Sequence, residues 1–249
     1  YLDSLADCQW PSGQLPCIAP TSVYGYNYQS GPTWDGALIF IPWQLYRFTG
    51  KKEIPERYYE AMKKYMRYTQ QISEDGICKS GLGDFLPDES QEVCPAGMIL
   101  SCFVMRMAQI MEQISALLQK GDEKEWKALA DYVNAAILRD YYGSSNRTES
   151  YLSCVLFFGL SENPEKEAKE LADIVRRKGH RAGGGIFGSV YTLEMLTRYG
   201  YQEDALKIAG QKEFPGWAFM LQNGGGTLWE HWSGKKGSLN HHMRSTVGA

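Results

Sequence analysis

The chain has 249 residues, enough for one large domain with a full core. Its 26 Lys plus Arg against 29 Asp plus Glu give a net charge of -3, which lacks the basic surplus of a dedicated nucleic-acid binder. A composition of 43% hydrophobic and 22% charged residues excludes a disordered chain. The longest uncharged apolar stretch, Val93 to Met105, falls well short of the roughly 20 residues of a membrane-spanning helix.

The predicted elements are helices throughout. The opening YLDSLADCQWPSGQLP reads as the last turns of a helix running into a Pro/Gly loop. Asp35 to Thr49 is a mostly apolar run stopped by Gly50. Pro55 to Ser73 carries Tyr58, Tyr59, Met62, Tyr65 and Met66 at three-to-four spacing. Pro95 to Gln119 opens on a proline suited to a first turn and bears a stripe from Phe103 to Leu118. Glu123 to Tyr142 repeats the period, Arg147 to Leu160 is apolar on most sides, and Pro164 to Lys178 is charged and amphipathic. Phe187 to Tyr199 and Glu203 to Gly210 form a last pair. No stretch alternates as a strand, and no linker divides the chain. The expectation is therefore one all-α domain over 1–249, with buried helices alternating with amphipathic ones as in an inner and outer ring.

Six cysteines, at positions 8, 17, 78, 94, 102 and 154, contain no CxxC pair, so free buried thiols are expected rather than a zinc site or a disulfide framework. Gly183, Gly185 and Gly188 spell GxGxxG, but a charged helix end precedes them where a dinucleotide site needs a strand; a loop opening a helix is the plainer reading. The four histidines are dispersed, and the adjacent His241 and His242 would point apart on a helix, so no metal or other cofactor is assigned. Asn146-Arg147-Thr148 is a glycosylation sequon in form.

Three clusters could carry chemistry. In the first, Gly224-Gly225-Gly226 turns the backbone and delivers Glu230 between Trp229 and Trp232. Indoles offer apolar faces for sugar rings, and a carboxyl in such company suits proton transfer; the alternative is a surface Glu between two core tryptophans. In the second, Gly81-Leu82-Gly83-Asp84-Phe85-Leu86-Pro87 holds an acid and an aromatic in a loop, with Asp84 as a turn cap the competing reading. In the third, Gly31-Pro32-Thr33-Trp34-Asp35 starts a helix, where Asp35 reads as a cap or first-turn acid.

These segments, with GPTWDGALIFIPWQLYRFTG, GLGDFLP, FPGWAFMLQNGGGTLWEHW and SLNHH in that order, resemble the catalytic domain of inverting bacterial α-L-rhamnosidases, glycoside hydrolase family 78. The resemblance covers essentially the whole chain and implies an (α/α)6 barrel, incomplete here. It implies hydrolysis of terminal α-L-rhamnose from a carbohydrate substrate; the compartment is left open, a bacterial cytoplasm or periplasm being the expectation. The general base of the family's T-x-W-E motif falls on Glu230. Trp34, Asp84, Phe85, Trp232 and His241 are the implied substrate-binding residues, Phe85 standing where Trp is usual. The family's acidic segment, Asp-Glu-Arg followed by Gly-Trp-x-Gly-Asp, contains the general acid and has no match here. The chain is accordingly expected to be part of a longer protein whose remaining domains are its partners. Two other readings stand beside this one: a noncatalytic sugar-binding helical toroid, and a related (α/α)6 glycosidase acting on another sugar.

Overall fold

The computed structural model describes all residues except 22, 23, 28, 146, 225 and 249, together with the backbone alone of 246–248. The sequon asparagine and the middle glycine of the triplet thus lie outside the described residues. The order of elements is α1 (Leu2–Asp7), α2 (Pro32–Asp35), α3 (Ala37–Thr49), α4 (Glu53–Gln71), β1 (Ser73–Glu74), β2 (Ile77–Cys78), α5 (Ala96–Leu118) and α6 (Glu123–Asp140). There follow α7 (Glu149–Phe157), α8 (Pro164–Arg177), α9 (Ile186–Arg198), α10 (Gln202–Ala209), α11 (Trp217–Asn223) and a 3-10 helix (His242–Gly248). Contacts gather these into two compact units, Tyr1–Gly83 with Ala96–Tyr142, and Asp84–Pro95 with Gly143–Ala249.

In the first unit α3 pairs with α4, and α5 with α6, while α5 also packs on α2 and α3. The apolar stripe of α5 explains its central place: Met98, Ile99, Met107, Met111 and Ile114 are all buried. Gly50 ends α3 in the left-handed conformation that lets a helix stop without a Cβ penalty. The predicted run from Asp35 is two helices, with Gly36 between them. The two short strands form an antiparallel hairpin whose turn, Asp75-Gly76, takes positive φ at both residues, as a tight hairpin turn requires. At the α5–α6 junction Asp122 binds Ser115 Oγ and Tyr59 OH and pairs with Lys63 at 2.8 Å. Burial alone would raise its carboxyl; the bonds from Lys63, Ser115 and Tyr59 outweigh that and hold it well below the usual range.

In the second unit α7 pairs with α8, α9 with α10, and α7 with α9. Thr148 caps α7 by accepting from the Tyr151 N–H at 3.2 Å. Asn163 does the same for α8 toward Lys166, with Pro164 at the first helical position. The six cysteines are free, and four of them are buried. Among the described residues no helix is long and apolar enough to cross a membrane, and no three His, Cys, Asp or Glu side chains gather as a metal site would need.

Candidate active site

The carboxylate of Glu230 is placed by a closed loop. Residues 227–230 run beside 238–241 and are tied at three levels. Thr227 Oγ1 donates to the Leu239 carbonyl at 2.5 Å, the His241 N–H to Leu228 at 2.9 Å, and the Glu230 N–H to Ser238 at 2.9 Å. The Ser238 N–H returns the contact, donating to Glu230 Oε2 at 2.9 Å. Oε1 keeps no protein partner among the described residues. Glu230 as a whole is half-buried. Gly237 makes the close approach feasible, since a Cβ there would stand 2.3 Å from Oε2 and the residue takes φ +69°.

The two flanking indoles are core residues. Trp229 is buried against Gly224 and Gly234, where an added Cβ would come within 2.1 and 2.6 Å of its ring. Trp232 is buried too; its Nε1 donates to the Gly184 carbonyl at 3.0 Å and its ring meets Trp217 edge-on at 5.1 Å. Trp232 therefore braces the loop that carries Glu230. His241 is half-buried, and its Nδ1 accepts from the Met243 N–H at 3.1 Å, which leaves Nε2 as the ring's donor. The expectation that His241 and His242 point apart is corrected: His241 precedes the 3-10 helix, and the two rings stack at 4.9 Å and 14°.

Asp84 is 5% exposed and fully engaged. Its Oδ2 accepts from Ser150 Oγ at 2.7 Å and the Gly185 N–H at 3.0 Å; its Oδ1 accepts from the N–H groups of Phe187 at 3.0 Å and Gly188 at 2.8 Å. The carboxylate thus closes the start of α9, satisfying amides that have no partner within the helix. Burial pushes its carboxyl up, and these four bonds pull it back. The GxGxxG string is an anion cradle whose anion is the chain's own. Cβ atoms at Gly185 and Gly188 would fall 2.5 and 2.4 Å from the Asp84 carboxylate oxygens. Phe85, half-buried, follows directly, and its carbonyl accepts from the Ile186 N–H at 3.0 Å.

Trp34 stands in the first unit, half-buried on α2. Its neighbour Asp35 is the first-turn acid of α2, one of the two readings expected of it, while Gly31 takes the cap position; its carboxyl is hydrogen-bonded to the buried Tyr65. Although part of Asp35 reaches solvent, burial of the carboxyl raises it from 3.8 to about 8, with the Tyr65 bond acting the other way.

The residues that sequence reasoning passed over are Gly237 and Ser238, which hold the Glu230 carboxylate, and Arg244, buried beneath Trp232. The repeated Gly after TLWEHW was a visible hint of a tight loop, whereas nothing in SLNHHMR marks its arginine as buried.

A family model described as the bacterial alpha-L-rhamnosidase 6 hairpin glycosidase domain matches residues 1–249. The chain belongs to this family. An alpha-L-rhamnosidase of Formosa agariphila is 24% identical over 272 residues, taking in 100% of this chain and 29% of the relative. One of Streptomyces avermitilis is 25% identical over 266 residues, taking in 100% of this chain and 25% of the relative. Among solved structures, the Streptomyces avermitilis alpha-L-rhamnosidase complexed with L-rhamnose superposes with a TM-score of 0.87 at 23% identity, over 100% of this chain and 25% of that one. The alpha-L-rhamnosidase from Dictyoglumus thermophilum gives 0.85 at 27% identity, over 99% and 30%. The chain thus spans between a quarter and a third of these relatives. The all-α class of (α/α)6 type, expected from the helical periods and the resemblance, is the fold of this six-hairpin family.

Proposed function

We propose that this chain forms the base-bearing part of an inverting α-L-rhamnosidase that removes terminal α-L-rhamnose from glycans or glycosides. Membership of the six-hairpin family and the rhamnosidase names of its relatives support the reading. The observation that carries it is the Glu230 carboxylate, pinned through Oε2 by the Ser238 N–H while Oε1 has no protein partner among the described residues. A general base needs this asymmetry: one oxygen fixes the geometry and the other takes a proton from the attacking water.

Inversion uses a second carboxyl group, about 6.5–9.5 Å away, to protonate the leaving oxygen. The family's acid segment supplies that group, and none of the 249 residues matches it. Half-buried Phe85 and His241 are the proposed wall of the rhamnose pocket, with His241 offering its Nε2–H to a sugar hydroxyl. Asp84 and Trp232 serve the same pocket from behind, by fixing the Phe85 loop and the Glu230 loop. The test is Glu230→Gln in the full-length protein, assayed on an aryl α-L-rhamnoside with the released anomer followed by NMR. The amide keeps the Ser238 contact but cannot take the proton. The wild type should release the inverted anomer, and kcat of the variant should fall by about 10² to 10⁴. Turnover near that of the wild type would remove Glu230 from the mechanism and favour another glycosidase chemistry. A wild-type protein that binds rhamnose without cleaving it would favour the noncatalytic toroid.

A further inference from the structure

Arg244 is 2% exposed, yet no acidic side chain pairs with it among the described residues. Its Nη2 donates to the Leu86 carbonyl, its own carbonyl accepts from Trp217 Nε1 at 3.1 Å, and its guanidinium carbon lies 4.0 Å from the centre of the Trp232 ring. Nε and Nη1 are buried without a hydrogen-bond partner. Burial lowers this guanidinium from 12.5 to about 10, Asp84's charge working the other way, so the group stays cationic at neutral pH.

Such an arrangement works against stability. A desolvated cation with two vacant donors is disfavoured in the folded state, and an apolar side chain of similar length often replaces a buried charge with no loss or with a gain. The contacts Arg244 does make fall on the three segments that carry the proposed site. Leu86 follows Phe85. Trp232 lies two residues after Glu230. Arg244 itself lies three residues after His241. A planar guanidinium can stack on an indole and donate sideways in one pose, which an ammonium or an alkyl chain cannot.

We propose that Arg244 is a positioning residue of the rhamnose pocket, holding the Phe85, Trp232 and His241 segments in register at a cost in stability. The proposal rests on the assignment of the pocket above. It is tested with Arg244→Met and Arg244→Lys in the full-length protein, beside Glu230→Gln. Three quantities are read: the denaturation midpoint, kcat and KM on an aryl α-L-rhamnoside, and L-rhamnose affinity by calorimetry.

Arg244→Met should unfold at the same or a higher denaturant concentration than the wild type. Its kcat/KM should nevertheless fall by about 10- to 100-fold, mostly through KM, with rhamnose affinity falling alongside; a loosened pocket loses rate and affinity on this scale. Arg244→Lys should recover part of the loss. Two results overturn the proposal. One is Arg244→Met with wild-type KM and affinity. The other is a drop in its denaturation midpoint with activity that merely tracks the folded fraction. Failure of the base assignment is a separate result, seen as unimpaired Glu230→Gln, and the calorimetric comparison of the Arg244 variants stands in either case.

Discussion

Asp84 and Glu230 belong to the same unit, and each follows a glycine-bearing loop next to an aromatic residue, but their carboxylates are held in opposite ways. Asp84 is buried and accepts four hydrogen bonds, three of them from the start of α9. Glu230 is half-buried and among the described residues accepts one, from Ser238. The first arrangement leaves no capacity for chemistry and ties a loop to a helix. The second fixes direction and leaves one oxygen without a protein partner among the described residues. The number of protein donors around each carboxylate thus separates the Asp84 anchor from Glu230, the proposed base, where the compositions of the two motifs do not.

The sharpest way to break this contrast is to neutralise both acids. Asp84→Asn turns an amide NH2 toward backbone N–H donors and should lower stability by about 3 kcal/mol, read by chemical denaturation. Glu230→Gln should leave stability within about 0.5 kcal/mol of the wild type, as substitutions away from buried networks do, while it carries the kcat loss described above. Equal stability losses in the two variants would erase the distinction.

The cradle offers a finer probe. A methyl group at Gly188 would sit 2.4 Å from Asp84 Oδ2 and 2.6 Å from Ser150 Oγ. Gly188→Ala should therefore cost about 1–3 kcal/mol by overpacking, even though alanine is the better helix former. A neutral or stabilising result would mean that Asp84 can leave α9 without penalty. On the Glu230 side, Gly237→Ala combines a left-handed φ with a methyl pressed on Oε2. It should reduce kcat by about 10-fold through displacement of the carboxylate, while the start of α9 stays intact by amide exchange.

Asp35 extends the comparison to a third environment, burial with one tyrosine partner. Its carboxyl is raised from 3.8 to about 8 in the folded chain. The native state thus keeps a proton that the unfolded chain releases above about pH 4. Its contribution to stability is complete below that pH and is lost as pH rises through about 8. Asp35→Asn, which keeps an acceptor for Tyr65, should flatten the fall in unfolding free energy between pH 5 and pH 8. Parallel curves for variant and wild type would place the pH dependence elsewhere.

The long helices were legible because their stripes run for several turns; α5 and α6 start and stop within two residues of the predicted limits. Trp217–Asn223 is too short to show a period, and the 3-10 helix at the end follows none that an α-helical template detects. Glu230 stood out between two indoles, and the resemblance assigned its role. What the sequence hid was how distant segments meet. The glycines at 183, 185 and 188 were evident as a string, but their partner Asp84 lies 101 residues from Gly185. Likewise Arg244 looks like a surface residue until the Leu86 carbonyl, 158 positions away, is seen to receive it. Periodicity reports local order, and no local pattern encodes such pairings.

The Asp84 cradle also sets a schedule for the nascent chain. The second unit begins with Asp84–Pro95 and resumes only at Gly143, and α9, which Asp84 closes, comes later still. At about 5–20 residues per second, the separation between Asp84 and Gly185 is roughly 5–20 s of ribosome time. Throughout that delay the segment has left the exit tunnel without the amides that will hold it. The chain must shelter an acidic, aromatic loop before its docking helix exists, so slowing translation after residue 95 should lengthen the window in which a chaperone or a protease meets it.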